Sequence, residues 1–480
     1  MRRRELLAMG MAATVMAQTR GSRASSAVPQ MPLPMPTPFP PETTGRFEGL
    51  VRELNSPGAI LTVTDHGHTA FQSWGRASLS FAVPVTVDTL FDLGPAGRHM
   101  TAACVLQLAD DNRIDIQQPV GLYVPQVPTE WAGRSIQSLL THTSGLPDYL
   151  DALPDLSRAP GPETVRQVAG GLPPRFDAGT AWAPSNTDDL LLGWLVEAVT
   201  KLRFGDFLSA RIFGPANVRS GLADDGELII WNKAEPYEPS TRSPGNYGKF
   251  IHAPLIHGGA PYTGGGGILF SVNDIASWDR AWDRGQRESP TLSARAVTPT
   301  LLATGRTIPY GYGWHLGQTR GMPYHLRAGS LPGYSAVILR LPAAGLSVTA
   351  CANVSGVGDA LRHMAWVAAE IHTAGCTPLT LAPIAADSVD KRLASILECG
   401  VAGQPDTRSI APEIQAVLTL PSARREVLPA LKPPISLTPI EEYAVPQGRM
   451  RRYRVVSPTG MDSLLAGFDG DDRLYWLQAH

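Results

Sequence analysis

Cysteine is scarce. The chain has 480 residues and four cysteines, Cys104, Cys351, Cys376 and Cys399. That is too few for a disulfide framework at this length. Cys104 (Ala-Cys-Val) and Cys351 (Ala-Cys-Ala) sit in apolar surroundings and read as inert core residues. Cys376 and Cys399 are the two that would be able to pair after export, and the sequence leaves that pairing open. Excess charge is also lacking. The net charge is −2, so bulk electrostatics favour neither nucleic acid nor an anionic membrane surface. No apolar run is long enough to cross a bilayer. Neither Cys-x-x-Cys nor His-x-x-x-His occurs, and His66-x-His68, in a predicted turn, is only a weak metal candidate. Gly264 to Gly267 is not followed by Gly-Lys-Ser/Thr, so it is not a phosphate loop. No metal or cofactor is expected.

Apolar residues make up 43% and charged residues 18%, the proportions of an ordinary globular protein. Four regions stand out along the chain. Residues 1–27 contain Arg2-Arg-Arg-Glu-Leu-Leu7 ahead of a mildly apolar run that ends near Ala17. This pattern resembles a twin-arginine export signal and implies a periplasmic or extracellular location in a bacterium. Residues 28–44 alternate proline with other residues and predict an extended tether. Residues 45–374 form the main domain. Residues 375–480 change in composition and predict a small α+β domain.

Within the main domain, Ala59–Val63 and Ala70–Trp74 flank Asp65-His-Gly-His68, the pattern of a β-hairpin. A helix is expected after Pro95, ending at Asp110-Asp-Asn112, and a second over Leu190–Val199. Ser271-Val-Asn-Asp274 has the form of a capping box that starts a third helix. Ala336–Arg340 and Leu346–Ala352 make a second hairpin, and Val357–His372 a closing helix. Strands at both ends with helices between them predict one sheet built from both chain ends, an α/β (α+β) architecture with an inserted helical region. In the C-terminal part, Asp387–Glu398 and Ile410–Val417 read as helices. Tyr453–Val456, Ser463–Ala466 and Leu474–Leu477 read as strands, with Gly460, Gly467 and Gly470 as turns. Arg449, Arg451, Arg452 and Arg454 suggest an exposed basic face.

Four segments carry the chemical reading: Phe91-Asp-Leu-Gly-Pro-Ala-Gly-Arg98, Ser138-Leu-Leu-Thr-His-Thr-Ser-Gly-Leu-Pro-Asp148, Trp182-Ala-Pro-Ser-Asn186 and Arg327-Ala-Gly-Ser-Leu-Pro-Gly-Tyr334. In order and wording they resemble the serine β-lactamase and penicillin-binding-protein family, in its class C and esterase-like branch. The resemblance covers roughly residues 45 to 372. It implies an antiparallel sheet flanked by helices with an inserted helical region. It also implies an acyl-transfer site made of Ser-x-x-Lys, Tyr-x-Asn and Lys/His-x-Gly. A serine and a lysine one helical turn apart share a face, so the amine can take the proton of the attacking hydroxyl.

This chain departs from that pattern at each point. Pro95 stands at the serine position and has no hydroxyl. Arg98 stands at the lysine position and stays protonated, so it is no base. Pro184 replaces the tyrosine while Asn186 remains, and Arg327 replaces the lysine or histidine ahead of Gly329. Neither Ser80 nor His325 restores the dyad by a shift of register. Ser144, in the His142-Thr-Ser-Gly145 turn, is expected to bond nearby backbone. Pro95 has a structural rationale of its own, because proline suits the first turn of a helix. The expectation is therefore an exported family member without serine acyl-transfer activity, with no catalytic residue at Pro95, Arg98, Pro184, Asn186 or Arg327.

Two readings of the cleft stay open. Arg98, Asn186, Arg327 and Gly329 would hold a small anionic or carboxylate-bearing ligand, or each arginine pairs with an internal partner and fills the space. A protein partner through the C-terminal domain is a further expectation. The rival overall reading is an active hydrolase (esterase, D-alanyl peptidase or β-lactamase type) with an unrecognised nucleophile.

Overall fold

The computed structural model describes residues 35–152, 162–226, 229–240, 249–253, 264–288, 290–373, 375, 377–401, 407–418, 435–457 and 460–479. The strands used below are β1 Thr37–Pro38, β2 Gly58–Asp65, β3 His68–Ser78, β4 His315–Thr319, β5 Met322–Leu331, β6 Tyr334–Leu341 and β7 Leu346–Ala352, followed by β8 Ser436–Val445, β9 Gly448–Ser457, β10 Gly460–Asp469 and β11 Leu474–Ala479. The helices are α1 Pro41–Leu54, α2 Arg98–Asp110, α3 Asn186–Thr200, α4 Val272–Glu288, α5 Gly358–Thr373, α6 Ser388–Val401 and α7 Pro412–Leu418.

The main sheet runs β1-β3-β2-β7-β6-β5-β4, with Val83–Pro84 added on β3 to make eight strands. β1 pairs with β3 in parallel, and the other neighbours are antiparallel. Strands from both chain ends therefore meet, β2 against β7, as the two predicted hairpins required. Side chains alternate along a strand, and the sheet is apolar on both faces. Along β6, Ala336 and Ile338 join the core under the helical region, with Met100, Val105, Leu191 and Ile275. Val337, Leu339 and Leu341 point the other way, into a core with Phe47 of α1 and Leu361, Met364 and Trp366 of α5. Each such fully buried side chain contributes about 1.5–3 kcal/mol.

Local sequence sets the helix ends. Pro95 lies in a 3-10 turn, Gly94–Gly97, that leads directly into α2. Ser185 caps α3, its side chain accepting from the Asp188 N–H. Before α4, the Ser271 Oγ accepts from the Asp274 N–H at 3.3 Å while the Asp274 carboxylate accepts from the Ser271 N–H at 3.1 Å, the reciprocal pair expected of a capping box. His66 occupies the β2–β3 turn with a positive φ of 47°, bonded to its neighbour Asp65. Among the described residues, no group of three or more His, Cys, Asp or Glu could hold a metal ion. No described helix is long and apolar enough to cross a membrane.

After α5, the antiparallel meander β8-β9-β10-β11 packs against α6 through Val389, Leu393, Ile396 and Leu397. Several expectations need correction here and at the N-terminus. The proline-rich segment is not a tether throughout, because Thr37 and Pro38 pair with Ala70 and Phe71, Phe39 is buried, and Pro41 opens α1. Gly467 is not a turn but lies inside β10, where a Cβ would come within 2.7 Å of the Tyr475 ring and 2.9 Å of the Met450 sulfur. The arginines of β9 do not make one exposed face. Arg451 and Arg452 are 2% and 0% exposed, since both faces of this sheet are covered. Strand β8 carries Pro439 at a register shift, and proline argues against a strand when only sequence is read. Cys104 and Cys351 are free and buried. The 1–27 segment and Cys376 lie outside the described residues, as does the side chain of Cys399.

Candidate functional site

The first turn of α2, the N-terminus of α3 and the middle of β5 converge on one point. Together they bring Pro95, Arg98, Asn186, Arg327 and Gly329 into a single cluster. Arg98 is 2% exposed. Its Nη2 donates to Asn186 Oδ1 at 2.6 Å, and its Nε lies 2.8 Å from Asp189 Oδ2. Asn186 and Asp189 are three residues apart on α3, so both face the same guanidinium. Asn186 is engaged on its other side too, where its backbone N–H and side-chain Nδ2 donate to Asp148 Oδ2 at 3.0 and 2.8 Å. Pro184 carries no phenol into this space, and its carbonyl accepts from Arg175 at 2.9 Å.

The opposite wall is in contact with the first. Arg327 Nε donates to the Pro95 carbonyl at 2.8 Å, and Arg327 Nη1 donates to the Tyr310 hydroxyl at 3.0 Å. At Gly329, a Cβ would fall 2.6 Å from the Ala96 nitrogen and 2.7 Å from Pro95 Cδ. Glycine is required there because β5 rests on the proline ring. Gly94 adopts φ +50° beneath Leu331. Gly264, at φ +84°, packs on the Asp189 carbonyl, so the glycine-rich loop borders this cluster, and its own carbonyl accepts from Thr101 Oγ1 at 2.7 Å. Both guanidinium groups thus have partners inside the protein.

Behind the cluster lies a second buried network. Asp188 accepts from Ser144 Oγ at 2.5 Å and meets His142 Nδ1 at 3.0 Å. Ser144 Oγ also accepts from the Leu146 N–H at 3.1 Å. Serine and histidine both bond the aspartate and not each other, so the Ser144 hydroxyl is spent on Asp188 while its oxygen fixes its own turn. Burial, with the nearby Arg98 and Arg327 charges, pushes His142 well below the ordinary imidazole value. Burial pushes Asp188 well above the ordinary carboxylate value. His325 lies on β5 away from the cluster, its ring 6.2 Å from Trp314, and burial lowers it to about 3. Ser80 Oγ lies 3.4 Å from the His252 ring, away from the cluster.

Two residues of the cluster were not singled out from sequence. Asp189 is the counter-ion of Arg98. Its signal was an adjacent acid pair, Asp188-Asp189, opening an otherwise apolar helix. Tyr310 is wholly buried between Arg327, Trp182 (ring centroids 5.1 Å apart) and His315 (5.0 Å). Its signal was the run Tyr310-Gly-Tyr-Gly-Trp314, where aromatics alternate with glycine. Burial raises the Tyr310 phenol above its ordinary value, so it stays protonated and donates no electron pair as a phenolate.

Comparison with known proteins places this geometry. A penicillin-binding protein of Bacillus subtilis (strain 168) is 26% identical over 311 residues, which cover 61% of this chain and 67% of that protein. A D-aminopeptidase of Brucella anthropi is 27% identical over 310 residues, 61% of this chain and 56% of that protein. The chain thus spans little more than half the length of that D-aminopeptidase. Among solved structures, a D-stereospecific amidohydrolase from Streptomyces sp. aligns with a TM-score of 0.57 at 21% identity, covering 69% of this chain and 98% of that one. A penicillin-binding protein from Bacillus halodurans gives 0.56 at 20% identity, covering 66% and 98%. At these identities the structural likeness speaks for the fold. The family model described as Beta-lactamase matches residues 45–373, and the chain belongs to that family, the one that groups serine β-lactamases with penicillin-binding proteins.

Proposed function

We propose that this chain is a β-lactamase-family protein without serine acyl-transfer activity, which keeps the fold as a scaffold whose cleft has become core. The observation that carries the reading is the fate of the Ser-x-x-Lys positions. Acyl transfer needs an atom that attacks a carbonyl and a neutral group that takes its proton. Pro95 offers neither, and its ring is pressed against Gly329. Arg98 is a permanent cation engaged with Asp189 and Asn186. Asp189 lies against Arg98, and Arg327 is engaged by the Pro95 carbonyl and the Tyr310 hydroxyl.

The test is covalent labelling of the full chain with a fluorophosphonate and a fluorescent penicillin, read by intact mass, together with turnover of a D-amino-acid amide, the substrate class named for several relatives. We expect no adduct and no amide hydrolysis. A stoichiometric adduct on any side chain would reveal a working nucleophile and end the proposal. We propose export as well, on the strength of Arg3-Arg-Glu-Leu-Leu7 ahead of a mildly apolar run. Fractionation of bacteria expressing the full chain, with and without Arg3→Lys and Arg4→Lys, checks it; cytoplasmic retention of both forms would refute it.

A further inference from the structure

We propose that the C-terminal sheet is a fixed cap on the degenerate cleft, sealed at Trp476, and that it opens and unfolds together with the cleft wall. Domains joined in one chain move relative to one another by default, unless a large apolar interface holds them. Here such an interface exists, and it lies on the residues that close the site. Trp476 of β11 packs on Trp182, ring centroids 4.9 Å apart. Trp182 stands two residues before Pro184 and packs on Tyr310, whose hydroxyl accepts from Arg327, which in turn donates to the Pro95 carbonyl. An unbroken series of contacts therefore runs from the last strand of the chain to the position of the missing nucleophile. One apolar cluster joins Trp182, Leu302, Ile308 and Tyr310 with Leu393, Ile414, Phe468 and Trp476.

Polar anchors ring this seal. Arg306 donates to Glu413 at 3.0 Å and Asp469 at 3.3 Å, and its guanidinium lies 4.8 Å from the Tyr475 ring centroid. Arg452, wholly buried on β9, donates to the Gln318 carbonyl and to the Tyr324 hydroxyl, both at 2.9 Å, and so ties the meander to β4 and β5 of the main sheet. Arg452 also meets Glu441 at 3.1 Å. These bonds hold the two sides in register as well as in contact. Separation would expose Trp476, Trp182 and Tyr310 at once and break both bonds of Arg452 to the main sheet.

The test is hydrogen exchange of the full chain read by mass spectrometry. In Trp476→Ala, peptides over 179–185 and 307–316 should lose protection by about tenfold or more along with peptides of the C-terminal sheet. Peptides of α5 should be unchanged. Loss confined to the C-terminal sheet would overturn the proposal. The wild-type chain gives a second reading that needs no variant. Pulse labelling along a urea series should show 179–185, 307–316 and 460–479 opening at one midpoint, and an earlier midpoint for 460–479 would sink the cap. The cap does not rest on the absence of chemistry: a covalent adduct in the labelling experiment would end the preceding proposal and leave this one standing.

Discussion

Replacing Asp189 by asparagine tests whether Arg98 is held by an internal counter-ion. The side chains of Arg98 and Asp189 are 1% and 4% exposed and meet at 2.8 Å. Asparagine nearly matches aspartate in shape, so Asp189→Asn removes charge with little change in packing. The arginine cannot neutralise itself. Breaking a buried pair on one side costs about 3–5 kcal/mol, because the remaining charge is stranded. The Asn186 amide still accepts from Arg98, so the lower end, about 3 kcal/mol, is expected. Against a typical total stability of about 5–15 kcal/mol this is a large loss. Arg98→Met in the same background removes the stranded cation and fills the space with an unbranched apolar chain. The double variant should then be more stable than Asp189→Asn alone, with a coupling energy of about 2–3 kcal/mol. Urea unfolding followed by fluorescence and circular dichroism measures it, and coincident midpoints license the comparison. If Asp189→Asn shifts stability by less than about 0.5 kcal/mol, or the two effects simply add, the pair is not a lock and the account of the site fails.

Two other outcomes follow from the same geometry. Pro95→Ser with Arg98→Lys should not hydrolyse a chromogenic ester or cephalosporin: Asp189 beside the new amine favours its charged form, and Pro184 and Arg327 still stand where the other catalytic groups belong; measurable turnover would show that the later motifs matter less than argued. His99→Gln should flatten the acid side of the stability profile. His99 is lowered from 6.5 to about 3 by burial, and its Nε2 accepts from Trp278 at 3.0 Å. The unfolded chain therefore takes up a proton below about pH 6.5 that the native state refuses. Stability present above that pH is lost as pH falls toward 3, at up to about 1.4 kcal/mol per pH unit for this residue. Relative to wild type, the variant should gain by that slope between pH 6 and 4 in urea titrations, and parallel profiles would mean His99 is already protonated in the native state.

Where local pattern decides structure, the sequence sufficed. Ala336–Arg340 and Leu346–Ala352 announce a hairpin, and Ser271 with Asp274 announces a helix start. Partnerships distant in sequence escaped. An acid in the first turn of α3 reads as a favourable neighbour of the helix dipole, and only the fold shows Arg98 opposite Asp189. Tyr310 reaches Arg327 across a strand turn that no periodicity marks. Sequence alone reads Arg451 and Arg452 as solvent-facing because adjacent strand residues point to opposite faces. That geometry is correct, but α6 covers one face and the main sheet the other. Arg451 meets Asp387, Asp390 and Glu442, while Arg452 meets Glu441 and Tyr324.

The cleft residues form a set consistent with itself. An acyl-transfer site keeps a nucleophile and a base under-engaged so that substrate can use them, an arrangement that favours function over stability. In this chain each position that departs from the family pattern has an internal partner. Proline suits the 3-10 turn at the head of α2, and its carbonyl, which a serine would also possess, accepts from Arg327. Arg98 is longer than lysine and reaches both Asn186 and Asp189. Pro184 carries no phenol, and the Tyr310 hydroxyl, from another segment, receives Arg327. On the proposal that this site carries out no acyl transfer, a Ser-x-x-Lys pair placed at positions 95 and 98 would meet Asp189, Tyr310 and Arg327 in their present places, while the core of the fold lies on the two faces of the main sheet.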